Sequence, residues 1–265
     1  MLTTAKRIVI KIGSSLIIGE NGLVRKEWLA TLAHDITKLK EADKEIIVVT
    51  SGAVGVGRLK LQYGMRELSL REKQAAAACG QASLIAYWQE AFFKNNIALY
   101  HAAQILLIAE DINNEIRARN ARNTLEVLLE NKYIVPIINE NDTVATAELG
   151  VGDNDSLAAK VAQMADADLL ILFSDIDGLY SENPRHNPNA KFQERIEEIT
   201  PEIEAMAGGT GSSVGTGGMT TKIIAAKIAT DAGCNMIIAR GTENHPLKNL
   251  IDGRKSTLFL AKKNK

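Results

Sequence analysis

The sequence predicts an α/β fold, a three-layer sandwich in which a mostly parallel central sheet is flanked by helices. Short apolar runs rich in Ile, Val and Leu alternate with longer helical segments, and several of the runs end at glycine or serine. This alternation is typical of βαβ units, which form parallel sheets covered on both faces. The 265 residues show no internal repeat and no linker, so we expect a single domain.

The predicted strands are short buried runs, the first of which, RIVIKI, ends at Gly13 in a turn of small residues, Gly13 to Ser15. The strands are expected at residues 7–12, 45–50, 97–100, 104–108, 134–138, 169–173, 236–239 and 257–260. Pro136 has no N–H to donate to a neighbouring strand. Its run therefore suits the end of a strand or the edge of a sheet.

The predicted helices repeat their apolar residues at helical spacing. In residues 26–41 these are Trp28, Leu29, Leu32, Ile36 and Leu39. Further helices are expected at residues 72–93, 113–131, 156–165 and 220–232. Gly233 is expected to end the last of them, since glycine readily adopts the left-handed conformation that follows a helix.

The composition limits the classes of function. Hydrophobic residues make up 46% of the chain, charged residues 24%, and the net charge is -1. Neither nucleic acid nor an anionic membrane is therefore expected as the main partner. Two cysteines, Cys79 and Cys234, suggest a reducing compartment. No secretory signal or membrane-length apolar run is present, so a cytoplasmic location is expected.

Polar residues follow four of the predicted strands, where parallel sheets bind ligands. They are Gly13 to Ser15, Ser51 with Gly52, Asn139 to Asp142, and Ser174 with Asp175. The third group opens an acidic stretch that contains no Lys or Arg between residues 133 and 159. Such carboxylates repel one another unless a metal or an ammonium group joins them. The alternative is a solvated loop in which Asn154 or Asp155 caps the next helix.

Two lysines are candidates for binding phosphate. Lys11 lies near the end of a buried strand, where its charge is costly unless it meets an anion, although an edge strand would let it point outward. Lys222 follows a glycine pair at a helix start, where backbone N–H groups attract anions. The alternative there is a glycine-rich loop with a solvated lysine. In SDIDGLY, Asp175 and Asp177 suit ribose, Mg²⁺ or a simple turn before Gly178.

The chain offers no metal-ligand spacing among its four histidines and no cluster typical of an acyl-enzyme. A kinase that phosphorylates a carboxylate needs neither. Its acceptor is already ionised at pH 7, since a Glu side chain has a pKa of about 4.3. Phosphoryl transfer then depends on positioning and on charge neutralisation by lysines and Mg²⁺.

Six motifs together resemble the amino acid kinase family, in the family's order and over nearly the whole chain. They are KIGSS at 11–15, TSGAVGVG at 50–57, INENDTVA at 138–145, GDND at 152–155, SDIDGLY at 174–180 and GTGGMTTK at 215–222. The pair INEND and GDND is similar to the members that phosphorylate glutamate. The acetylglutamate, aspartate and uridylate kinases share the fold but not this pair.

The resemblance implies transfer of the γ-phosphoryl group of ATP, with Mg²⁺, to the side-chain carboxylate of L-glutamate, the first step of proline synthesis. Residues 1–155 would bind the amino acid and residues 156–265 the nucleotide. Proline would act as a feedback inhibitor, and the protein would form a homo-oligomer. Two alternatives remain: a kinase for another carboxylate or phosphate acceptor, and a non-catalytic amino acid sensor. A sensor would not need two phosphate-facing lysines.

The resemblance also implies a role for each motif residue. Lys11 and Lys222 would stabilise the transferring phosphoryl group, and Asp155 would hold the two lysines in place. Glutamate would be bound by Ser51, Asp142 and Asn154, with Asn139 as a helper. ATP would be bound by Lys11, Ser174, Asp175, Thr216, Gly217, Gly218, Met219, Thr220, Thr221 and Lys222.

Two features depart from the family pattern. Many members continue into a C-terminal PUA domain, a type associated with RNA binding, whereas this sequence ends at FLAKKNK. No PUA domain, and hence no RNA binding, is expected. The family often has an LLTR-like segment where this chain has LLIAEDI at 106–112. That difference affects contacts near one strand end but none of the candidate residues.

Overall fold

A central sheet organises the part of the chain that the structure describes, a computed structural model covering residues 2–64, 66–94, 99–144, 154–184, 186–208 and 218–262. The strands are β1 (Arg7–Ile12), β2 (Glu45–Val49), β3 (His101–Leu107), β4 (Ile134–Glu140), β5 (Leu169–Ser174), β6 (Leu179–Tyr180), β7 (Phe192–Gln193), β8 (Arg195–Ile196), β9 (Asn235–Arg240) and β10 (Ser256–Phe259). The helices are α1 (Ser14–Ile17), α2 (Lys26–Glu41), α3 (Ala53–Lys60), α4 (Leu70–Phe93), α5 (Ala109–Asn113), α6 (Glu115–Glu130), α7 (Asn154–Met164), α8 (Pro201–Met206), α9 (Met219–Asp231) and α10 (Pro246–Ile251).

Among the described residues, eight strands form the main sheet in the order β3-β4-β2-β1-β5-β9-β10-β8, and β6 and β7 form a separate antiparallel pair. Every neighbouring pair from β3 to β9 is parallel, whereas β10 runs antiparallel to β9. The predicted α/β fold with a mostly parallel sheet is confirmed. None of the helices described is long and apolar enough to cross a membrane.

The two faces of the sheet carry separate cores. In β1, Ile8 and Ile10 face a core that includes Trp28 of α2 and Trp88 of α4. Val9 faces the opposite core, which α6, α7 and α9 cover. Side chains alternate between the faces of a strand, so Lys11 shares the second face with Val9. That alternation directs Lys11 toward α7 and α9.

Three local predictions were wrong in detail. In place of the two strands expected at residues 97–100 and 104–108, residues 101–107 form one strand, β3. An irregular Leu99 and Tyr100 precede it, and residues 97 and 98 lie outside the described part. The small-residue turn after β1 is the one-turn helix α1. The helix expected at residues 113–131 is divided at Asn114, whose side chain accepts a hydrogen bond from the Arg117 N–H and so starts α6.

The prediction of an edge position for Pro136 was also wrong, because β4 lies between β3 and β2. The recorded pairing of β4 with β2 begins only at Ile137, opposite Val48. Toward β3, the pairing runs the full length of β4. The missing N–H of Pro136 therefore falls where the β2 ladder has not yet begun, which makes proline tolerable in an interior strand.

Helix α3, which the sequence analysis did not predict, lies directly on α4. A Cβ at Gly57 would stand 1.7 Å from the Ala76 carbonyl oxygen, and one at Gly80 would stand 1.9 Å from the Ala53 carbonyl oxygen. Only glycine permits this approach of two backbones. Gly52, with φ at +107°, turns the chain from β2 into α3. These contacts fix the start of α3 beside the ends of the central strands.

Candidate active site

A cleft of about 1120 Å³ opens at the carboxyl ends of β1, β2, β4 and β5. Eight of the candidate residues line it: Lys11, Ser51, Asn139, Asp142, Asn154, Ser174, Asp175 and Lys222. Six of the eight lie in or just after β1, β2, β4 and β5, which are neighbours in the sheet, so their polar ends meet at one edge. Asn154 and Lys222 reach it from α7 and α9. The cleft lies where the chain order reverses about β1, which is the usual ligand site of such a sheet.

Lys11, Asp155 and Lys222 form a buried ion cluster beneath the cleft. The Lys11 Nζ lies 2.5 Å from Asp155 Oδ1, and the Lys222 Nζ lies 3.0 Å from Asp155 Oδ2. Thr221 Oγ1 also donates to Asp155 Oδ2, at 2.9 Å. The three charged residues are between 1% and 7% exposed. A single carboxylate thus holds two ammonium groups at one end of the cleft.

The acid of this cluster remains ionised despite its burial. Burial alone would raise the pKa of Asp155, but the charges of Lys11 and Lys222 outweigh that effect and lower the pKa to about 2. Asp155 stands in the first turn of α7, where the helix dipole also favours a negative charge. With one carboxylate against two lysines, the cluster keeps a net positive charge, which suits the binding of phosphate.

A pair of buried amides stands beside Ser51. The Asn154 Nδ2 donates to Ser51 Oγ at 2.6 Å and to the Thr50 carbonyl at 3.1 Å. Its distance to Asn139 Oδ1 is 3.5 Å. Within the described residues, Asn139 Nδ2 and Asn154 Oδ1 have no hydrogen-bond partner. Buried polar atoms without partners are costly, so a donor and an acceptor at this position are open to a ligand.

Asp142 supplies a second buried carboxylate to the cleft. It is 7% exposed, and burial raises its pKa to about 6. No ion pair is recorded for it in the part of the chain that the structure describes. A carboxylate in this state gains most from a cationic ligand, because the ligand supplies the missing counter-charge.

The start of α3 adds donors that sequence reasoning missed. Its first helical bond runs from the Val56 N–H to the Gly52 carbonyl, so the N–H groups of Ala53, Val54 and Gly55 are not used by the helix. All three residues line the cleft. The motif TSGAVGVG contains these residues, but no helix was predicted for it. Arg58 and Lys73 also line the cleft and were missed.

Only some of the residues predicted to bind the nucleotide line the cleft. Ser174 and Asp175 line the cleft, and Ser174 Oγ donates to Asp175 Oδ1 at 3.0 Å. Gly218 precedes α9, which begins at Met219 and includes Thr220 and Thr221, but none of these four lines the cleft as described. Thr216 and Gly217 lie outside the described residues. No group of three or more His, Cys, Asp or Glu able to hold a metal occurs within the residues described.

The chain's similarity to known proteins agrees with this geometry. The sequence pattern of the amino acid kinase family matches residues 6–240. The chain therefore belongs to the amino acid kinase family.

Among its curated relatives, the chain is most informatively compared with two bacterial glutamate 5-kinases. It is 55% identical over 260 residues to the one from Paramagnetospirillum magneticum, a match covering 98% of this chain and 69% of that protein. It is 50% identical to the one from Rhodopseudomonas palustris (strain BisB5), again over 98% of this chain and 68% of the relative. The resemblance inferred from the six motifs is thus confirmed.

Solved structures share the fold at low sequence identity. Carbamate kinase from Giardia lamblia bound to AMP-PNP superposes with a TM-score of 0.67 at 18% identity, covering 98% of this chain and all of that one. UMP kinase from Ureaplasma parvum gives a TM-score of 0.62 at 18% identity, over 96% of this chain and 98% of that one. At this identity the likeness supports the fold alone.

Proposed function

We propose that this protein transfers the γ-phosphoryl group of ATP to the side-chain carboxylate of L-glutamate. One observation carries the proposal: a cluster of two lysines on one carboxylate shares a cleft with Asp142, a buried acid that forms no ion pair within the described residues. The first feature suits a phosphoryl group, and the second suits the ammonium group of an amino acid. The identity to glutamate 5-kinases names the amino acid.

The lysine cluster accounts for the transfer step. The acceptor carboxylate is ionised at neutral pH and attacks without a general base. Lys11 and Lys222 neutralise the charge that spreads over the transferring phosphoryl oxygens, while Asp155 keeps the two ammonium groups together. Mg²⁺ would be bound with ATP and would supply further charge neutralisation at the phosphate oxygens, since it seldom relies on an all-protein site.

The amino acid is held at the other side of the cluster. Asp142 pairs with the substrate ammonium group. The Ser51 hydroxyl and the open Nδ2 of Asn139 donate to carboxylate oxygens, whereas the open Oδ1 of Asn154 accepts from the ammonium group. Residues 1–155 form the amino acid half and residues 156–265 the nucleotide half. In the latter, Ser174, Asp175 and the segment from Thr216 to Lys222 bind ATP.

A coupled assay of ADP release tests this function. Release should require both L-glutamate and Mg²⁺ and should be absent with aspartate or N-acetylglutamate. Release with another acceptor, and not with glutamate, would indicate a different kinase of the same fold. Glutamate binding without any ADP release would instead identify an amino acid sensor.

Replacing Asp142 with Asn is expected to raise the KM for glutamate roughly 10- to 100-fold, the range for losing a hydrogen bond to a charged group. The KM for ATP should change little. In the unchanged protein, the glutamate KM should rise as pH falls through about 6, because the pKa of Asp142 lies there and its protonated form cannot pair with an ammonium group. Glutamate's own carboxyl groups titrate below this range.

Steady-state kinetics between pH 5.5 and 7.5 measure both effects. The variant should lose the pH dependence of the glutamate KM, since Asn does not titrate. Exposed Asp252, replaced by Asn, provides the matched control. A raised ATP KM with an unchanged glutamate KM would place Asp142 on the nucleotide side and contradict the assignment.

Proline is expected to inhibit by competing with glutamate, because it carries an α-carboxylate and a cationic nitrogen but no side-chain carboxylate to accept phosphate. Excess glutamate should relieve the inhibition, whereas excess ATP should not. Inhibition series at several fixed glutamate concentrations measure this. Inhibition that persists at high glutamate would exclude an overlapping site.

We further propose that the protein works as a homo-oligomer, which light scattering tests.

A further inference from the structure

The segment after β5 links the cleft to a cluster outside it. Ser174 and Asp175 line the cleft, and the chain then turns through Gly178, whose φ is +149°. A Cβ at Gly178 would stand 2.3 Å from Thr257 Oγ1. The Leu179 N–H donates to the same oxygen at 2.8 Å, and this hydroxyl donates to the Gln193 carbonyl at 2.6 Å. One side of the segment is therefore fixed to β10.

Lys255 fixes the other side. Its Nζ donates to the Tyr180 hydroxyl at 2.7 Å and lies 3.6 Å from Asp177 Oδ2. It also lies 4.7 Å from the ring centre of Tyr180 and 4.1 Å from that of Phe192. The two rings meet edge to face at 5.2 Å, and the Tyr180 hydroxyl donates to Asp177. One ammonium group thus joins a carboxylate, a hydroxyl and two aromatic rings.

Lys255 makes more contacts than a simple ion pair at the protein surface would provide. The Lys255 side chain is 47% exposed, so its charge attraction to Asp177 alone would contribute little. The ring faces and the hydroxyl restrict the ammonium group to one position. Asp177 is two residues from Asp175, and a shift of the segment would therefore move Asp175 at the cleft.

We propose that Lys255 is a positioning residue for the nucleotide site, which holds Asp177 and Tyr180 against β10 and thereby fixes Asp175 at the cleft. The inference rests on the proposed binding of ATP by Ser174 and Asp175. Lys255 is not among the residues that line the cleft, so it acts through Asp177 and Tyr180. Its effect is therefore confined to nucleotide affinity, with the amino acid half of the cleft unaffected.

The test is the substitution Lys255→Met, which removes the charge and keeps a flexible chain. The KM for ATP should rise about fivefold to tenfold, as expected when a cation–π contact and a hydrogen bond that order a segment are lost. The KM for glutamate and the thermal midpoint should stay close to those of the unchanged protein. Lys255→Arg should restore most of the ATP affinity, because Arg keeps the charge and stacks on rings.

Lys248→Met is the matched control, since Lys248 forms an exposed ion pair with Asp252 far along the chain from this segment. Calorimetric titration with AMP-PNP, without glutamate, gives nucleotide affinity independently of turnover. If the unchanged protein binds AMP-PNP but does not phosphorylate glutamate, the proposed function fails, and the comparison with Lys255→Met still tests the positioning role. Equal AMP-PNP affinity in both proteins would overturn it, as would equal rises in both KM values.

Discussion

Replacing either Lys11 or Lys222 with Ala is expected to lower kcat by about 100-fold or more, the usual effect of removing one group that stabilises transition-state charge. Both ammonium groups lie within 3.0 Å of one carboxylate, so each contributes to the same positive site. The KM for glutamate should change much less, because Asp142 and the amides hold the amino acid. Steady-state kinetics at saturating ATP and glutamate provide the measurement.

Two exposed lysines, one directly before β1 and one in α9, serve as matched controls. Lys6 immediately precedes β1 with its side chain 75% exposed, and Lys227 lies in α9 with its side chain 48% exposed. Their alanine variants should keep kcat within about twofold, since surface substitutions seldom exceed ~0.5 kcal/mol. Near-normal kcat in Lys11→Ala or Lys222→Ala would show that the lysine concerned has no role in the transfer.

The elements that sequence reasoning predicted with correct bounds have a single strong pattern. Residues 7–12 are apolar and β-branched, and residues 26–41 place their large apolar side chains on one helical face. Helix α3 carries no such pattern, because its glycines serve the approach to α4 and not the local conformation. Such a contact depends on a residue far along the chain, so local propensity could not reveal it.

The sequence predicted which strand ends carry the candidate site, but not how their side chains contact one another. Parallel pairing brings the ends of β1, β2, β4 and β5 together, and the sequence showed polar residues at all four. The contact of Lys11 with Asp155 depends on which face of β1 carries the lysine. Lys11 lies on the same face of β1 as Val9, but only the folded structure shows that α7 and α9 cover that face. The open amide atoms of Asn139 and Asn154 required the folded structure.

Replacing Asp155 with Asn is expected to lower the free energy of unfolding by about 3–5 kcal/mol, because it removes the carboxylate that pairs with both buried ammonium groups. Lys11 and Lys222 are 7% and 2% exposed, so water in the cleft compensates only in part for the lost carboxylate. Urea denaturation at pH 7 measures the change. Asp166→Asn is the control, since its ion pair with Arg122 is exposed and should contribute within ~1 kcal/mol.

The pH dependence separates this charge effect from a change of shape. The pKa of Asp155 is about 2 in the folded protein against a reference value of 3.8, so its stabilisation is present above about pH 4 and is lost as pH falls toward 2. The difference in unfolding free energy between the unchanged protein and Asp155→Asn should therefore shrink over that range. A difference that stays constant from pH 7 to 3 would attribute the loss to packing. An unchanged stability at pH 7, together with a lowered kcat, would limit Asp155 to orienting the two lysines during phosphoryl transfer.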